Sequence, residues 1–259
     1  PYLICTADQL NNIREDLTAH YKLANDIDLD VAPYNEGEGW EPIGDDGKRF
    51  KGSLDGDDYS INNLYINRPE TNYIGMFVYV DEAEISNLSL LVVDVTGDSN
   101  VGALASYMYI VDEGKAGNID NIRVTGDVKG TGGPVGGLIG RSRQVTINNV
   151  VSEANVSGGL NGGSHIGGIV GNAQNETLIS NSFSTGEIYS ESPTVGGITG
   201  TLHMSSIENS YSTSNVTGRN DIGGLVGKSS GTPSGSSSIS KSYATGTVTP
   251  AFPDDDARS

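Results

Sequence analysis

Ile166-Gly167-Gly168-Ile169-Val170-Gly171 and its copies decide the fold. The phrase stands again as Val135-Gly136-Gly137-Leu138-Ile139-Gly140, Val195-Gly196-Gly197-Ile198-Thr199-Gly200 and Ile222-Gly223-Gly224-Leu225-Val226-Gly227. Looser forms precede it, Ile74-Gly75-Met76-Phe77 and Val101-Gly102-Ala103-Leu104. Self-similarity at a period of roughly thirty residues marks a solenoid in which each repeat is one coil. Positions one and four are large and apolar in every full copy, and a flat strand cannot point both inward. The glycines between them predict a bend that turns both toward the core. A phosphate cradle is the functional alternative, and recurrence in every coil argues against it.

A second column reads Ile61-Asn62-Asn63, Ile85-Ser86-Asn87, Ile119-Asp120-Asn121, Ile147-Asn148-Asn149, Ile179-Ser180-Asn181, Ile207-Glu208-Asn209 and Ile239-Ser240-Lys241. Period-two alternation puts the isoleucine and the third residue on one face. The expectation is a buried ladder of Asn63, Asn87, Asn121, Asn149, Asn181 and Asn209, ended by Lys241. Seven residues past that position stand Val128, Val156, Ile188, Val216 and Val248. Two residues past it stand Tyr65, Phe183, Tyr211 and Tyr243, a file interrupted by Ser89, Arg123 and Val151. Each repeat thus offers three short strands, the plan of a parallel β-helix. The sequence predicts an all-β, right-handed parallel β-helix (β-solenoid) of about six to seven three-stranded coils with a short N-terminal capping helix. One coil buries about five apolar side chains at roughly 1.5–3 kcal/mol each. Ordering its residues costs roughly 1–2 kcal/mol apiece, so no coil folds alone.

The N-terminus reads differently. Thr6-Ala7-Asp8-Gln9 fits a capping box, and Leu10, Ile13 and Leu17 share a helical face, which predicts a helix over 7–17. A strand over 21–29, broken near Ala24, comes next, and together they would form a lid on the open end of the stack. The expected layout is a cap over 1–40, a solenoid over 41–249 and an acidic tail or linker over 250–259. Asp55-Gly56-Asp57-Asp58 reads as a tight hairpin or β-turn, with Gly56 supplying the positive φ.

Of 259 residues, 36 are glycine, and the net charge is −18. Such a charge repels phosphate backbones, so no nucleic-acid partner is expected. The lone Cys5 excludes an internal disulfide framework. No apolar run is long enough to span a membrane. Both ends read as cut edges of a longer protein.

The Gly-Gly phrases resemble the GLUG motif, Gly-Leu-hydrophobic-Gly. Tyr21-Lys22-Leu23-Ala24-Asn25-Asp26-Ile27-Asp28-Leu29, Trp40-Glu41-Pro42-Ile43-Gly44 and Phe50-Lys51-Gly52-Ser53-Leu54-Asp55-Gly56 are similar to the lead-in of proteins carrying it. The resemblance runs from Pro1 to about Thr249. It implies large secreted or cell-surface proteins of bacteria and archaea, including adhesins and some immunoglobulin-cleaving peptidases. A metallopeptidase needs a His-Glu-x-x-His helix, and His20, His165 and His203 do not provide one.

No nucleophile–base constellation stands out, so no catalytic residue is expected, and no cofactor. Calcium at the acidic N-terminal loops is the one ion to consider, although these lack the ligand series of an EF-hand. Asp127, Glu153 and Glu187 precede the late valines and would align across coils, as a glycan-cleaving β-helix requires. Asn155, Asn175 and Asn215 open glycosylation sequons on outward turns, whereas Asn87 is expected to stay unmodified in the ladder. The leading reading is a non-catalytic structural or adhesive module of an extracellular surface protein. Its expected partners are copies of itself, which could stack into a filament, other surface proteins or glycans. A carbohydrate-binding or carbohydrate-cleaving β-helix is the alternative, and it requires the tyrosine file to face outward. An ice- or mineral-binding face would need regular Thr rows that the variable repeat length does not supply.

Overall fold

The computed structural model describes residues 1–110, 117–159, 164–233 and 235–252. The acidic run Asp254-Asp255-Asp256 of the expected tail lies outside them. Three parallel sheets wrap one continuous core, of eighteen, six and five strands. The five-stranded sheet holds the Val/Ile-Gly starts of the Gly-Gly phrases, in register from Val101↔Val135 through Ile166 and Val195 to Ile222. The six-stranded sheet is built from the end of each phrase and the residues just beyond it, Phe77–Asp81, Ala105–Tyr109, Ile139–Arg143, Val170–Gln174, Thr199–His203 and Val226–Ser230. The large sheet carries the Ile-x-Asn and late-valine strands. From Val101 onward each coil therefore contributes to all three walls, and the fold is a parallel β-solenoid.

Both apolar positions of the phrase reach the core, as Val135, Leu138, Ile166, Ile169, Val195 and Ile198 are fully buried. The chain dives inward between them and comes back out, and glycines pinch the neck. A Cβ on Gly136 would lie 2.1 Å from Ile139 O and 2.6 Å from Gly171 N, so no side chain fits.

The Asn column faces the other way. Asn87, Asn121, Asn149, Asn181, Asn209 and Lys241 all hold left-handed φ between 47° and 55°. That conformation turns a corner, breaks the two-residue alternation and throws the side chain outward while Ile119, Ile147, Ile179 and Ile207 stay buried. The expected buried ladder is therefore an outer one, and asparagine is used because it tolerates the left-handed region. Asn63 leaves the column altogether. Leu54 pairs with Ile85, whereas Ile61 pairs with Leu90, so Asn63 sits at a separate corner where its Nδ2 donates to Asp28 Oδ1 at 2.8 Å. Tyr65 likewise pairs with Asp94 and is not in the aromatic file.

That separate corner is occupied in the next coil by Val92, at φ 57° and 64% exposed. A β-branched residue there is strained and gains nothing from burial. Val92→Gly is expected to raise stability by about 1 kcal/mol, read as a higher urea midpoint at unchanged slope. A lower midpoint would show that Val92 holds the corner by contacts.

The N-terminal helix is shorter than its pattern. Ala7–Asn11 is α-helical and Asn12–Glu15 is a 3-10 helix, so Leu17 lies beyond it. Thr6 caps it by accepting from Gln9 N, while the Gln9 side chain accepts from Cys5 N at 2.7 Å. Leu10 and Ile13 are buried against the first coil. A strand missed in the sequence, Tyr2–Ile4, precedes the helix and pairs in parallel with His20–Leu23, while Ile27–Asp28 resumes after the expected break. At Asp55-Gly56-Asp57-Asp58 the chain makes a turn between two strands that each pair with Glu84–Gly97, so it is no hairpin. Asp57 and Asp58 take the positive φ there, and Gly56 is needed because Asn87 O would lie 2.1 Å from its Cβ.

The core changes character along the axis. The residue after the Asn corner is Leu88, Ile122 and Val150, then Ser182, Ser210 and Ser242. Ser182 Oγ accepts from Val150 N at 3.0 Å, Ser210 Oγ from Ser182 N at 3.1 Å and Ser242 Oγ from Ser210 N at 3.1 Å. Each hydroxyl donates to the carbonyl two residues back at 2.7 Å, so these interior polar groups are satisfied.

Candidate functional site

Two outer surfaces gather side chains capable of recognition. The first is the seam over the glycine neck, where the five- and six-stranded sheets meet. On one side runs the residue before each Gly-Gly phrase, Tyr73, Asn100, Pro134, His165, Thr194 and Asp221. On the other runs the third residue of each strand in the six-stranded sheet, in register Tyr79↔Tyr107↔Arg141↔Asn172↔Thr201↔Lys228. The close backbone approach at the neck lets the two files touch. Tyr73 and Tyr79 rings stand 5.3 Å apart, and His165 Nδ1 lies 2.6 Å from Thr201 Oγ1 and 3.2 Å from Thr194 Oγ1.

At its N-terminal end the seam is aromatic. Tyr107 and Tyr109 stack at 4.6 Å, with Arg141 over the Tyr107 ring at 5.6 Å and Arg49 over the Tyr109 ring at 4.8 Å. Tyr73, Tyr79, Arg68 and the loop Asp45-Asp46 border an open pocket of ≈ 460 Å³. Burial, then Tyr73, raises the Tyr79 phenol well above its ordinary value, so it acts as a neutral hydrogen-bonding group. The acidic loop is spoken for in part, since Asp46 and the buried Asp81 hold Arg49, and Lys51 lies 2.9 Å from Asp81. Toward the C-terminus the seam turns polar. Asn172 is only 4% exposed, and its Oδ1 has no hydrogen-bond partner among the described residues.

Burial, then the charges of Arg141 and Lys228, pushes the His165 pKa down from 6.5 to about 4. His165 is therefore neutral in the folded chain at physiological pH. A folded pKa below the unfolded one gives a stabilisation that is complete above about pH 6.5 and is lost as pH falls toward 4. Urea midpoints should fall across that window, and His165→Gln should flatten the fall. An unchanged slope in the variant would assign the loss to other groups.

The second surface lies on the large sheet. Phe183, Tyr211 and Tyr243 form a stack of nearly parallel rings at 4.7 and 5.3 Å, half-buried to exposed. Beside it runs a ladder of acids and amides. Asn155 Nδ2 donates to Asp127 Oδ1 at 3.0 Å, Glu187 N to Asn155 Oδ1 at 3.1 Å, Asn215 Nδ2 to Glu187 Oε1 at 2.9 Å and Thr247 Oγ1 to Asn215 Oδ1 at 2.8 Å. Asp127 and Glu187 thus share a file but are separated by Asn155. Glu153 is elsewhere, bonded to Arg123. No pair of adjacent carboxylates for glycoside chemistry forms here among the described residues.

The other sequence-predicted positions serve the scaffold. In the outer Asn column, Asn87 donates to Asp55, Asn121 to Asn87 at 3.0 Å and Asn149 to Asn121 at 3.2 Å, while Asn181 shifts sideways to Asn148 Oδ1. Of the sequon asparagines, Asn155 and Asn215 are exposed yet tied into the acid–amide ladder, and Asn175 sits at a left-handed turn. Asp55 and Asp57, which an ion would need at the acidic loop, are paired with Lys22 at 3.6 and 2.8 Å. His20 and His203 each contact one serine hydroxyl.

Stacked parallel coils, a glycine neck in each and files of outward side chains define a parallel β-solenoid of Gly-Gly coils. The chain carries the GLUG motif, whose model matches residues 162–189 and 218–249. It is 36% identical over 197 residues, 68% of its length, to a candidate Gly-rich membrane protein of Evansella cellulosilytica. It is 35% identical over 167 residues, 61% of its length, to halomucin of Haloquadratum walsbyi, and 31% over 193 residues, 70% of its length, to the immunoglobulin A1 protease of Streptococcus sanguinis. It spans 20%, 2% and 9% of those three proteins. Among solved structures, a candidate immunoglobulin A1 protease from Bacteroides ovatus superimposes with TM-score 0.71 at 22% identity, over 96% of this chain and 82% of that one. A structure of an IgA1 protease gives TM-score 0.61 at 16% identity, over 96% of this chain and 20% of that one. These structural likenesses concern the fold.

Proposed function

We propose that this chain is a non-catalytic adhesive module of an extracellular or cell-surface protein, a rigid solenoid that presents side-chain files to a ligand. The observation that carries the reading is the uninterrupted register from Val101 to Ile222 and from Tyr79 to Lys228, which turns single residues into straight rows on a stiff support. The occurrence of related segments within a membrane protein, a halomucin and a protease favours a module over an activity particular to one of them. No helix among the described residues is long and apolar enough to cross a membrane.

Two experiments test the reading. Incubation with immunoglobulin A1 should leave its heavy chain intact, and specific cleavage would make the module an enzyme. Electron microscopy of untagged protein, with and without EDTA, should show isolated short rods. Regular filaments would instead make end-to-end stacking of copies the function. A specific observation favours glycans as the ligand: Phe183, Tyr211 and Tyr243 face outward, as the carbohydrate reading requires, and so do Tyr79 and Tyr107.

A further inference from the structure

We infer that the seam from Tyr79 to Lys228 is a binding site for an extended anionic glycan, a polysaccharide carrying carboxylates or sulfates. The inference rests on the adhesive reading and names its site and ligand class.

The seam's length and grain come from the register. Tyr79, Tyr107, Arg141, Asn172, Thr201 and Lys228 succeed one another on adjacent parallel strands. At about 4.8 Å per strand they span about 24 Å. The advance of one sugar unit in an extended glycan is close to that spacing, so successive units meet successive rows. The occupant is a linear polymer rather than a compact small molecule, because the six residues lie in one straight file across six strands.

The chemistry of the rows selects the class. Tyr73, Tyr79 and Tyr107 offer ring faces and hydroxyls of the kind that stack against sugar rings. The buried Thr194 and Thr201 hold the neutral, half-buried His165 between them, and its imidazole is the group of this stretch that can serve hydroxyl groups. The Asn172 Oδ1 and the Arg141 Nε, both buried, lack hydrogen-bond partners among the described residues. Buried polar atoms left without partners are costly, and a ligand's hydroxyl or carboxylate settling over them recovers that cost.

Charge decides between neutral and anionic polymers. The chain carries −18 overall, yet Arg141 and Lys228 have no ion pair among the described residues, unlike Arg49, Arg68 and Arg123. They stand three strands apart, about 14 Å, on the same row. Arg141 and Lys228, without ion pairs of their own, flank a neutral polar stretch, with Asp221 the one carboxylate of the two files, and so suit anionic groups recurring along a chain. A polynucleotide would also be anionic, but its dense phosphates would meet the strongly acidic remainder of the surface.

The test is calorimetric titration of the chain with hexagalacturonate, a linear uronate, and with cellohexaose as a neutral match in length. Hexagalacturonate is expected to bind, at least tenfold more tightly than cellohexaose, and to weaken as sodium chloride is raised. Tyr107→Ala and Arg141→Ala should each weaken binding by tenfold or more, whereas Tyr189→Ala, an exposed tyrosine of the large sheet, should leave it unchanged. Equal denaturation midpoints would show that the variants remain folded. Equal affinity for both hexasaccharides, or undiminished binding by Arg141→Ala, overturns the assignment. If hexagalacturonate does not bind, heparin fragments replace it, and failure of both ends the proposal. Adhesion of labelled wild-type chain to glycan-coated surfaces tests the parent reading separately. Adhesion that survives in Arg141→Ala and Tyr107→Ala removes the seam and leaves the module, and no adhesion to any surface removes both.

Discussion

Gly136→Val should yield no soluble folded protein. The missing Cβ of Gly136 would sit 2.1 Å from Ile139 O, 2.6 Å from Gly171 N and 2.8 Å from Ile169 O, all backbone atoms of the neck. None of them is the yielding end of a flexible side chain. Relief would require reopening the neck and withdrawing Leu138 from the core. Because Gly171 belongs to the next coil, the damage passes along the stack. A loss above about 4–5 kcal/mol is expected, close to the whole stability of many domains. Gly47→Ala is the control, since only Asp45 Oδ1 at 3.3 Å approaches its Cβ position. Soluble yield and far-ultraviolet circular dichroism read both outcomes. A folded Gly136→Val chain with an unaltered midpoint would refute the neck.

The second large effect is at Asn121, and it separates conformation from side-chain bonding. Asn121 holds φ 55°, donates to Asn87 Oδ1 at 3.0 Å and accepts from Asn149 Nδ2 at 3.2 Å. Asn121→Val removes these bonds, together with a third from Nδ2 to Asp58 Oδ1 at 3.3 Å, and forces a β-branched residue into the left-handed region. We expect a loss of about 2–4 kcal/mol. Asn121→Gly removes the same bonds but keeps the corner, and it should cost about 1 kcal/mol. Equal losses in denaturant titrations would mean that the ladder, and not the corner, is what asparagine supplies.

That pair of variants also explains what was readable in the chain. The Gly-Gly phrase could be read because its demand is local: two apolar residues must turn inward, and only glycines permit the neck. The Ile-x-Asn column had its residues right and its face wrong. Alternation assumes extended backbone throughout, and a single left-handed residue reverses it. Asn63 and Tyr65 fit the column by motif likeness alone, because the first coil turns an additional corner at Asn63 that Val92 repeats in the next. The seam was the least visible part. Tyr107, Arg141 and Asn172 share no residue type, and they become neighbours only when unequal connecting loops are subtracted, coil by coil. A signal was present in Tyr107-Met108-Tyr109 and Arg141-Ser142-Arg143, outward pairs at the same distance after the phrase. Asn155 and Asn215 looked like free sequons because sequence spacing does not show that Asp127 and Glu187 already hold their amides.

The passage of the core from Leu88, Ile122 and Val150 to Ser182, Ser210 and Ser242 makes the serine-lined coils weaker than the aliphatic ones. Hydrophobic transfer stabilises the first coils, at roughly 25 cal/mol per Å² of apolar surface. The later coils keep Ile179, Ile188, Ile207 and Val216 in the core, but at this one position they substitute directional bonds whose net contribution is smaller and which water can replace once an edge opens. Amide exchange should therefore be fastest around Ser210 and slowest around Ile122, with protection graded between them. Under tension applied along the axis, such a rod would not fail as a block. It would yield first in its serine-lined coils, dissipating load and re-zipping on the aliphatic half that stays folded, so that the gradient in its interior works as a mechanical fuse.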